Sequence, residues 1–359
     1  MKVVVLAGGL SPERDVSLSS GSLIANSLME SGHEVLLLDV YEGLKTDAGN
    51  LNLLFSKPWE GKKYEYSVPE KEPDLAEIKK RNNGQLALIG ENILEVCKLA
   101  DVVFIALHGS MGENGQIQAA FDNYNIKYTG TGYIGSLLAM DKDLTKKLLV
   151  QAGIPTADWI MYSIQHNCSE VINNYNKTNK YDIIIEKTGF PCVIKPCSCG
   201  SSIGVSIVHN KGELNKSLQY AARYENNVLI EKMIKGREFS VGILSDEALP
   251  VIEIMPEEGF YNYKNKYQGG LTKEVCPADL SIDLTGKIQN RALFVHKTLR
   301  LGNYSRIDFI LDENNEFICL EANTLPGMTP TSLIPQEALR KGISYHELVC
   351  MIARLPFKK

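Results

Sequence analysis

Arg306-Ile307-Asp308-Phe309-Ile310-Leu311 and Phe317-Ile318-Cys319-Leu320-Glu321-Ala322-Asn323, joined by Asp312-Glu313-Asn314-Asn315-Glu316, decide how this chain is read. Two alternating apolar runs around a stretch rich in Asp and Asn predict a β-hairpin. With Asn314-Asn315 as a two-residue turn, Glu313 pairs with Glu316, and all opposed positions share one sum. Asp308 then faces Glu321, and Arg306 faces Asn323. Side chains alternate between faces. Ile307, Phe309, Leu311, Ile318, Leu320 and Ala322 therefore form an apolar face, and Arg306, Asp308, Glu321 and Asn323 gather at one end of the other. Opposed Cβ atoms lie roughly 5 Å apart, and two carboxylates there repel by roughly 3 kcal/mol at an effective dielectric of about 20. Oxygen ligands on a hard cation offset that repulsion, which points to Mg²⁺ with waters and phosphates in its other positions. A solvated polar face is the plainer reading, but such a face rarely confines its charge to one end of an apolar hairpin.

The 359 residues leave room for two or three domains with ample core. A net charge of −5 gives no basic field for nucleic acid or anionic lipid. No apolar run approaches the length of a membrane span. Met1–Ala7 is too short for a signal peptide and reads as a first strand meeting Gly8-Gly9. Eight scattered cysteines fit reduced thiols in a cytoplasm.

Strands at Val3–Leu6, Glu34–Asp39 and Asp101–Leu107 alternate with helices at Ser20–Ser31 and Gln116–Tyr124, which predicts a parallel sheet in an open α/β domain. Lys57–Pro73 reads as a variable excursion with little core. A helix starts near Asp141 and ends near Gly153. Strands at Cys192–Lys195 and Ile203–Val208 precede a helix from Asn210 to Tyr224, with Asn210 as its cap. From Leu229 strands dominate until a helix at Tyr345–Arg354. The expected domains are 1–135, 136–228 and 229–359.

Lys195-Pro196-Cys197-Ser198-Cys199-Gly200-Ser201-Ser202 is a Gly/Ser loop with a Lys at its mouth, suited to phosphate oxygens, although a plain hairpin fits it as well. Lys142 opens a helix, and alone it is a surface lysine. Val228–Ile234 is an apolar strand interrupted by Glu231; extended backbone of this kind can bond a purine edge or simply sit in a core. Tyr261–Gly270 joins aromatic and basic residues to a Gly-Gly hinge, as a closing lid would. Gly327 can aim a backbone N–H at developing negative charge, and Ser332 follows it. His108, as a lone histidine after a buried strand, favours a satisfied structural role.

Taken in order, these stretches resemble the ATP-grasp superfamily, and within it the D-alanine–D-alanine ligases. The similarity runs from Gly8-Gly9, Glu13-Arg14 and Ser17 through Leu107-His108-Gly109, Gly112-Glu113-Asn114-Gly115 and Gln118. It continues through Met140-Asp141-Lys142, the Lys195 loop, Glu231 and Glu238, Lys266-Tyr267, Arg306, Asp308, Glu321 and Pro326-Gly327-Met328-Thr329. It implies an α/β (α+β) three-domain ATP-grasp fold whose N-terminal domain is a Rossmann-like parallel sheet. It implies that Lys142, Lys195 and Lys266 meet ATP phosphates, with Ser201 and Lys232 nearby. Glu231 and Ile234 would flank the adenine, and Glu238 would bind ribose. Asp308, Glu321 and Asn323 would hold two Mg²⁺ ions, with Mn²⁺ as a substitute. Glu13 would hold the first D-alanine's ammonium, in a group with Ser201 and Tyr267 that pins the lid. Arg306 and Gly327 would stabilise the oxyanion. Ser332 and Leu333 would receive the second carboxylate, and His108 would line the substrate site.

The implied reaction joins two D-alanines through a D-alanyl phosphate, releasing ADP and phosphate, for peptidoglycan precursor synthesis in the cytoplasm by a homodimer. Tyr267 favours an amine over a hydroxyl as second nucleophile. A ligase of other amino or hydroxy acids is the nearest rival. A non-catalytic nucleotide-binding module would have lost the metal and lid residues, and a nicotinamide dehydrogenase would need a glycine fingerprint that Gly8-Gly9-Leu10-Ser11 lacks. Cys197 and Cys199 depart from the family's usual loop residues and raise the prospect of an oxidisable thiol beside the phosphates.

Overall fold

Val3–Leu6 is apolar without alternation because its strand is covered on both faces, as parallel strands are. In the computed structural model, β1 (Lys2–Ala7) lies between β2 (Glu34–Asp39) and β3 (Val102–Ile105), all parallel. The structure describes residues 1–46, 51, 53–55, 63–69, 71–163, 168–169, 184, 186–256 and 272–358. Around this sheet run α1 (Arg14–Glu30), α2 (Leu75–Arg81), α3 (Ile93–Leu99), α4 (Ser110–Glu113) and α5 (Gln116–Asn123). Helix α1 starts six residues before the expected Ser20. It passes so close to β1 that a Cβ at Gly21 would lie 2.7 Å from that of Ala7.

Two further helices, α6 (Tyr133–Met140) and α7 (Lys142–Gln151), lead to a second, antiparallel sheet. Its strands are β4 (Trp159–Ser163), β5 (Cys168–Ser169), β6 (Cys192–Pro196), β7 (Ser206–Val208) and β8 (Asn227–Lys232), in the order β5-β4-β8-β6-β7. Helix α8 (Lys211–Ala221) packs Leu214 and Leu218 beneath it, capped by Asn210 as expected. The strand expected from Ile203 begins only at Ser206, because Ser201 and Ser202 hold left-handed φ values of 51° and 57°.

The third sheet contains β9 (Arg237–Leu244), β10 (Glu247–Ala248), β11 (Ile252–Pro256), β12 (Thr272–Val275), β13 (Tyr304–Leu311) and β14 (Phe317–Asn323), in the order β12-β11-β9-β13-β14 with β10 on β9. Strands do not dominate its half of the chain alone. Helices α9 (Ile282–Thr298) and α10 (Leu333–Arg340) precede the expected α11 (Tyr345–Arg354). Ser281 caps α9 through a bond from Leu284 N, and Ile288, Ala292 and Val295 bury one stripe against the sheet.

Packing cuts across a linear division of the chain. A boundary at 228/229 falls inside β8, a central strand of the second sheet. Leu149 of α7 packs in the third core, and Leu348, Val349 and Ile352 of α11 pack in the first.

The hairpin reaches its expected pairing by an unexpected route. Arg306 opposes Asn323, and Asp308 opposes Glu321. The turn, however, is a three-residue loop. Asp312 N donates to Glu316 O at 3.0 Å, Asn315 N returns to Asp312 O at 3.1 Å, and Asn315 has φ 57°. The register shifts between Asp308 and Phe309, leaving Leu320 as a bulge residue. The buried face is consequently Ile307, Phe309, Leu311, Phe317, Cys319 and Ala322, not one carrying Ile318 and Leu320.

Candidate active site

Arg306, Glu321 and Asn323 line a cavity of about 540 Å³, and Asp308, bonded to Arg306 and Asn323, is buried behind them. Asp308 is densely bonded. Arg306 donates Nε to its Oδ1 at 2.9 Å and a guanidinium nitrogen to its Oδ2 at 2.7 Å. Ser240 Oγ adds a bond of 2.7 Å to Oδ1, and Asn323 Nδ2 one of 3.0 Å to Oδ2. Glu321 lies 4.0 Å from Lys142 Nζ. Cationic side chains therefore offset the repulsion between the two carboxylates. Asn323 gives its amide nitrogen to Asp308, so its amide oxygen is the third oxygen available beside the two acids. That donor set is hard and suits Mg²⁺.

The opposite wall comes from the start of α1 and from the Gly/Ser loop. Glu13 is 5% exposed and accepts a short hydrogen bond from Ser201 Oγ. Glycines make room for it. A Cβ at Gly109 would sit 2.7 Å from Glu13 Oε2, and one at Gly200 would lie 3.2 Å from both oxygens. Behind it, Glu113 accepts from Gly109 N at 2.8 Å. Burial and the charge of Glu13 push the Glu113 carboxyl up to about 8. Glu113 stands in the Gly112-Glu113-Asn114-Gly115 stretch of the resemblance, but no role was expected of it.

His108 lines the same cavity. Burial and the nearby Arg306 charge push its imidazole down to about 4, so it is neutral at pH 7. The Leu325 backbone bonds the ring, so the plainer, structural reading holds in part, and only Nε2 is left without a partner among the described residues.

Lys142 opens α7, whose cap is Asp141; that carboxylate accepts from Asp143 N and Leu144 N at 3.0 Å each. Lys142 Nζ donates to Cys199 O at 2.7 Å, which ties the loop to the helix. Lys195 behaves differently. Its Nζ is 2.6 Å from Glu231 Oε1, and Glu231 Oε2 is 3.0 Å from Lys146 Nζ. The Glu231 side chain is thus committed to two lysines, whose charges, against the opposing effect of burial, hold the pKa of its carboxyl down at about 2. Lys146, 1% exposed, was not anticipated, although it lies one turn from Lys142 on the same helix. Lys195, Glu231, Lys232, Ile234 and Glu238 do not line the cavity; they follow β6, β8 and the start of β9. Lys232 is exposed, while Ile234 and Glu238 are half-buried.

Beyond the hairpin, Ser332 Oγ accepts from Thr329 N at 3.1 Å, and a Cβ at Gly327 would lie 2.9 Å from that hydroxyl. Gly327, Ser332 and Leu333 all line the cavity. Lys266 and Tyr267, with the whole expected lid Tyr261–Gly270, lie outside the described residues. Burial pushes the Cys197 thiol up to about 12 and Cys199 up to about 11, so neither is a thiolate at neutral pH.

Residues 2–131 match the family model for the D-ala D-ala ligase N-terminus, and residues 148–354 that for the C-terminus. The D-alanine–D-alanine ligase of Pediococcus pentosaceus is 39% identical over 97% of this chain and 95% of its own length. That of Halalkalibacterium halodurans is 35% identical over the full length of both. Among solved structures, the D-alanine–D-alanine ligase from Bacillus anthracis matches with a TM-score of 0.71 at 28% identity, covering 99% of this chain and 97% of that one. Its complex with ATP matches with a TM-score of 0.72 over the same shares.

Proposed function

The chain belongs to the D-alanine–D-alanine ligase family, and from that premise we propose how its own residues join two D-alanines with ATP. The observation that carries the reading is the convergence of Glu13 with Ser201, Lys142, and the Arg306–Asp308–Glu321–Asn323 cluster around one cavity.

Glu13, fixed by Ser201, receives the ammonium of the first D-alanine. Its carboxylate then attacks the γ-phosphorus of ATP, giving D-alanyl phosphate and ADP. Lys142 and Lys195 serve the phosphates, Lys195 held in place by Glu231. Glu231 and Ile234 flank the adenine side, next to Lys232, and Glu238 serves the ribose. The amine of the second D-alanine attacks the activated carbonyl; the C–O bond to phosphate breaks as the amide bond forms, and the departing phosphate takes up the proton that the nitrogen gives up. Arg306 and the Gly327 N–H face the oxyanion that develops in this step. Ser332 and Leu333 seat the second carboxylate. Neutral His108 offers Nε2 as a hydrogen-bonding partner without adding charge. Lys266 reaches the transferred phosphoryl group, and Tyr267 joins Glu13 and Ser201 to close the site against water, which would hydrolyse the acyl phosphate. Asp308, Glu321 and Asn323 would hold two Mg²⁺ ions, or Mn²⁺ in their place, which neutralise charge on the phosphate oxygens. Positioning and charge neutralisation supply most of the acceleration.

The product is a peptidoglycan precursor. We assign the reaction to the cytoplasm and the active species to a homodimer; among the described residues no helix is long and apolar enough to cross a membrane. The test is ADP and dipeptide formation from D-alanine and MgATP, run beside D-serine, D-lactate and L-amino acids. D-Alanine should stimulate ADP release with one dipeptide formed per ADP. No stimulation by D-alanine overturns the assignment.

A further inference from the structure

Glu337, on α10, belongs to no role described above. It is 0% exposed, Oε2 accepts from Gly242 N at 2.9 Å, and Oε1 has no partner among the described residues. Leaving a buried polar atom unsatisfied costs about 1–3 kcal/mol. The chain also makes room for it, because a Cβ at position 242 would lie 2.3 Å from Glu337 Oε2.

Gly242 pairs directly with Arg306 across β9 and β13. Directly opposed residues share a face, with Cβ positions roughly 5 Å apart. Glu337 therefore occupies the place beside the root of Arg306 that a side chain at 242 would otherwise fill. Arg306 meanwhile spends two donors on Asp308. A cation on Asp308 needs oxygen lone pairs that the guanidinium now covers, so Arg306 must give up part of this contact. Even a half-buried guanidinium is costly to leave without a carboxylate partner.

We propose that Glu337 is a positioning residue that receives Arg306 when Asp308 takes up a divalent cation, keeping the guanidinium in the site for the oxyanion. The arginine thus has two carboxylate stations, one along its own strand and one across the neighbouring strand. Burial and the nearby Asp308 charge hold the Glu337 carboxyl well above the usual range, and Arg306 draws it down. Gln keeps the size and shape of this side chain and removes only its capacity for charge.

The inference rests on Asp308 as a metal ligand, and the test separates the two. Mn²⁺ binding in the presence of ADP is read by the spin resonance of free Mn²⁺. Asp308→Asn should weaken it; if it does not, the metal reading itself fails. Glu337→Gln should raise the Mn²⁺ Kd roughly tenfold, the size of one lost charged hydrogen bond, with a melting temperature close to that of the unaltered chain. In an Arg306→Ala background, Glu337→Gln should change the Kd less than about twofold, because no guanidinium remains to be received. A Mn²⁺ Kd unchanged by Glu337→Gln, in a chain whose Asp308→Asn variant binds weakly, overturns this inference alone. So does an undiminished effect in the Arg306→Ala background. If Glu337→Gln does not fold, Glu337→Leu carries the same comparison. Failure of both to fold makes the residue structural and overturns the proposal.

Discussion

Replacing Glu231 by Gln removes the carboxylate that bridges Lys195 and Lys146, and its cost can be worked out in advance. The two contacts are 2.6 and 3.0 Å long, and the carboxylate is 4% exposed. The two lysines bring its pKa from 4.5 to about 2. A shift of that size corresponds to about 3 kcal/mol. Breaking one member out of a buried ion pair costs about 3–5 kcal/mol, so the two routes agree. Lys146 runs the other way: burial pushes its ammonium below the usual lysine range, with Glu231 opposing. The stabilisation therefore resides in the ionised acid. Because the folded value lies below the unfolded one, the unfolded chain binds more protons between them. The contribution is complete above about pH 4.5 and is lost as pH falls towards 2; by about pH 3.5 roughly 1 kcal/mol of it has gone. Trp159 pairs with Glu231 across β4 and β8, and Lys146 Nζ lies 5.5 Å from its ring centre. Its fluorescence during urea unfolding, in a Trp59→Phe background, reports the second sheet directly. Glu231→Gln should lower that sheet's stability by about 3 kcal/mol at pH 7 and by about 2 at pH 3.5. A loss below about 1 kcal/mol, or a difference that does not shrink with acid, refutes the argument.

Asp308→Asn should lower kcat roughly 100-fold or more while ADP affinity falls by less than tenfold, by turnover and by calorimetry, if the cation acts mainly in the transition state. Ser201→Gly relieves a left-handed backbone worth about 1 kcal/mol, yet removes the hydroxyl bonded to Glu13. The variant should be no less stable in urea and should show a raised KM for D-alanine. Glu113 is raised to about 8, so the folded chain holds its proton more tightly than the unfolded one. Relative to Glu113→Gln, the unaltered chain should lose stability as pH rises from about 4.5 to 8, measured by urea midpoints across that range. Cys197 and Cys199, raised to about 12 and 11, should alkylate with iodoacetamide at pH 7 well below the rate of a free thiol, by mass spectrometry.

What the sequence disclosed follows from the reach of each interaction. Strand β1 was legible because a run of buried Val and Leu has no other use beside Gly8-Gly9. The cap of α8 was legible because Asn210 accepts a bond from Gly212 N, only two places ahead. Helix α9 was missed because Gly286 and its scattered charges dilute the helical stripe. Helix α10 was missed because Pro335 looks like a break, although a proline in the first turn forfeits no intrahelical bond. The Lys146–Glu231–Lys195 group joins residues far apart in sequence, on α7, β8 and β6. No local pattern records such a meeting.

The hairpin shows why the strongest inference survived a wrong premise. The loop has three residues rather than two, which lowers the sum of opposed residue numbers by one near the turn. Carried unchanged along the strands, that register would set Asp308 against Leu320 and would part the two acids. The bulge at Leu320 adds the residue back, so the sum at Asp308 and Glu321 returns to the value a two-residue turn would have given. The same bulge leaves Phe317 and Cys319 on the buried face where Ile318 and Leu320 were expected. Counting from the turn was therefore wrong for every pair near it and right for the acidic pair. The clustering of Arg306, Asp308, Glu321 and Asn323 holds in either description because it depends on their end of the hairpin, where the two irregularities have cancelled. Charge gathered at one end of a strand pair is thus a sturdier guide to this site than the turn from which its register was counted.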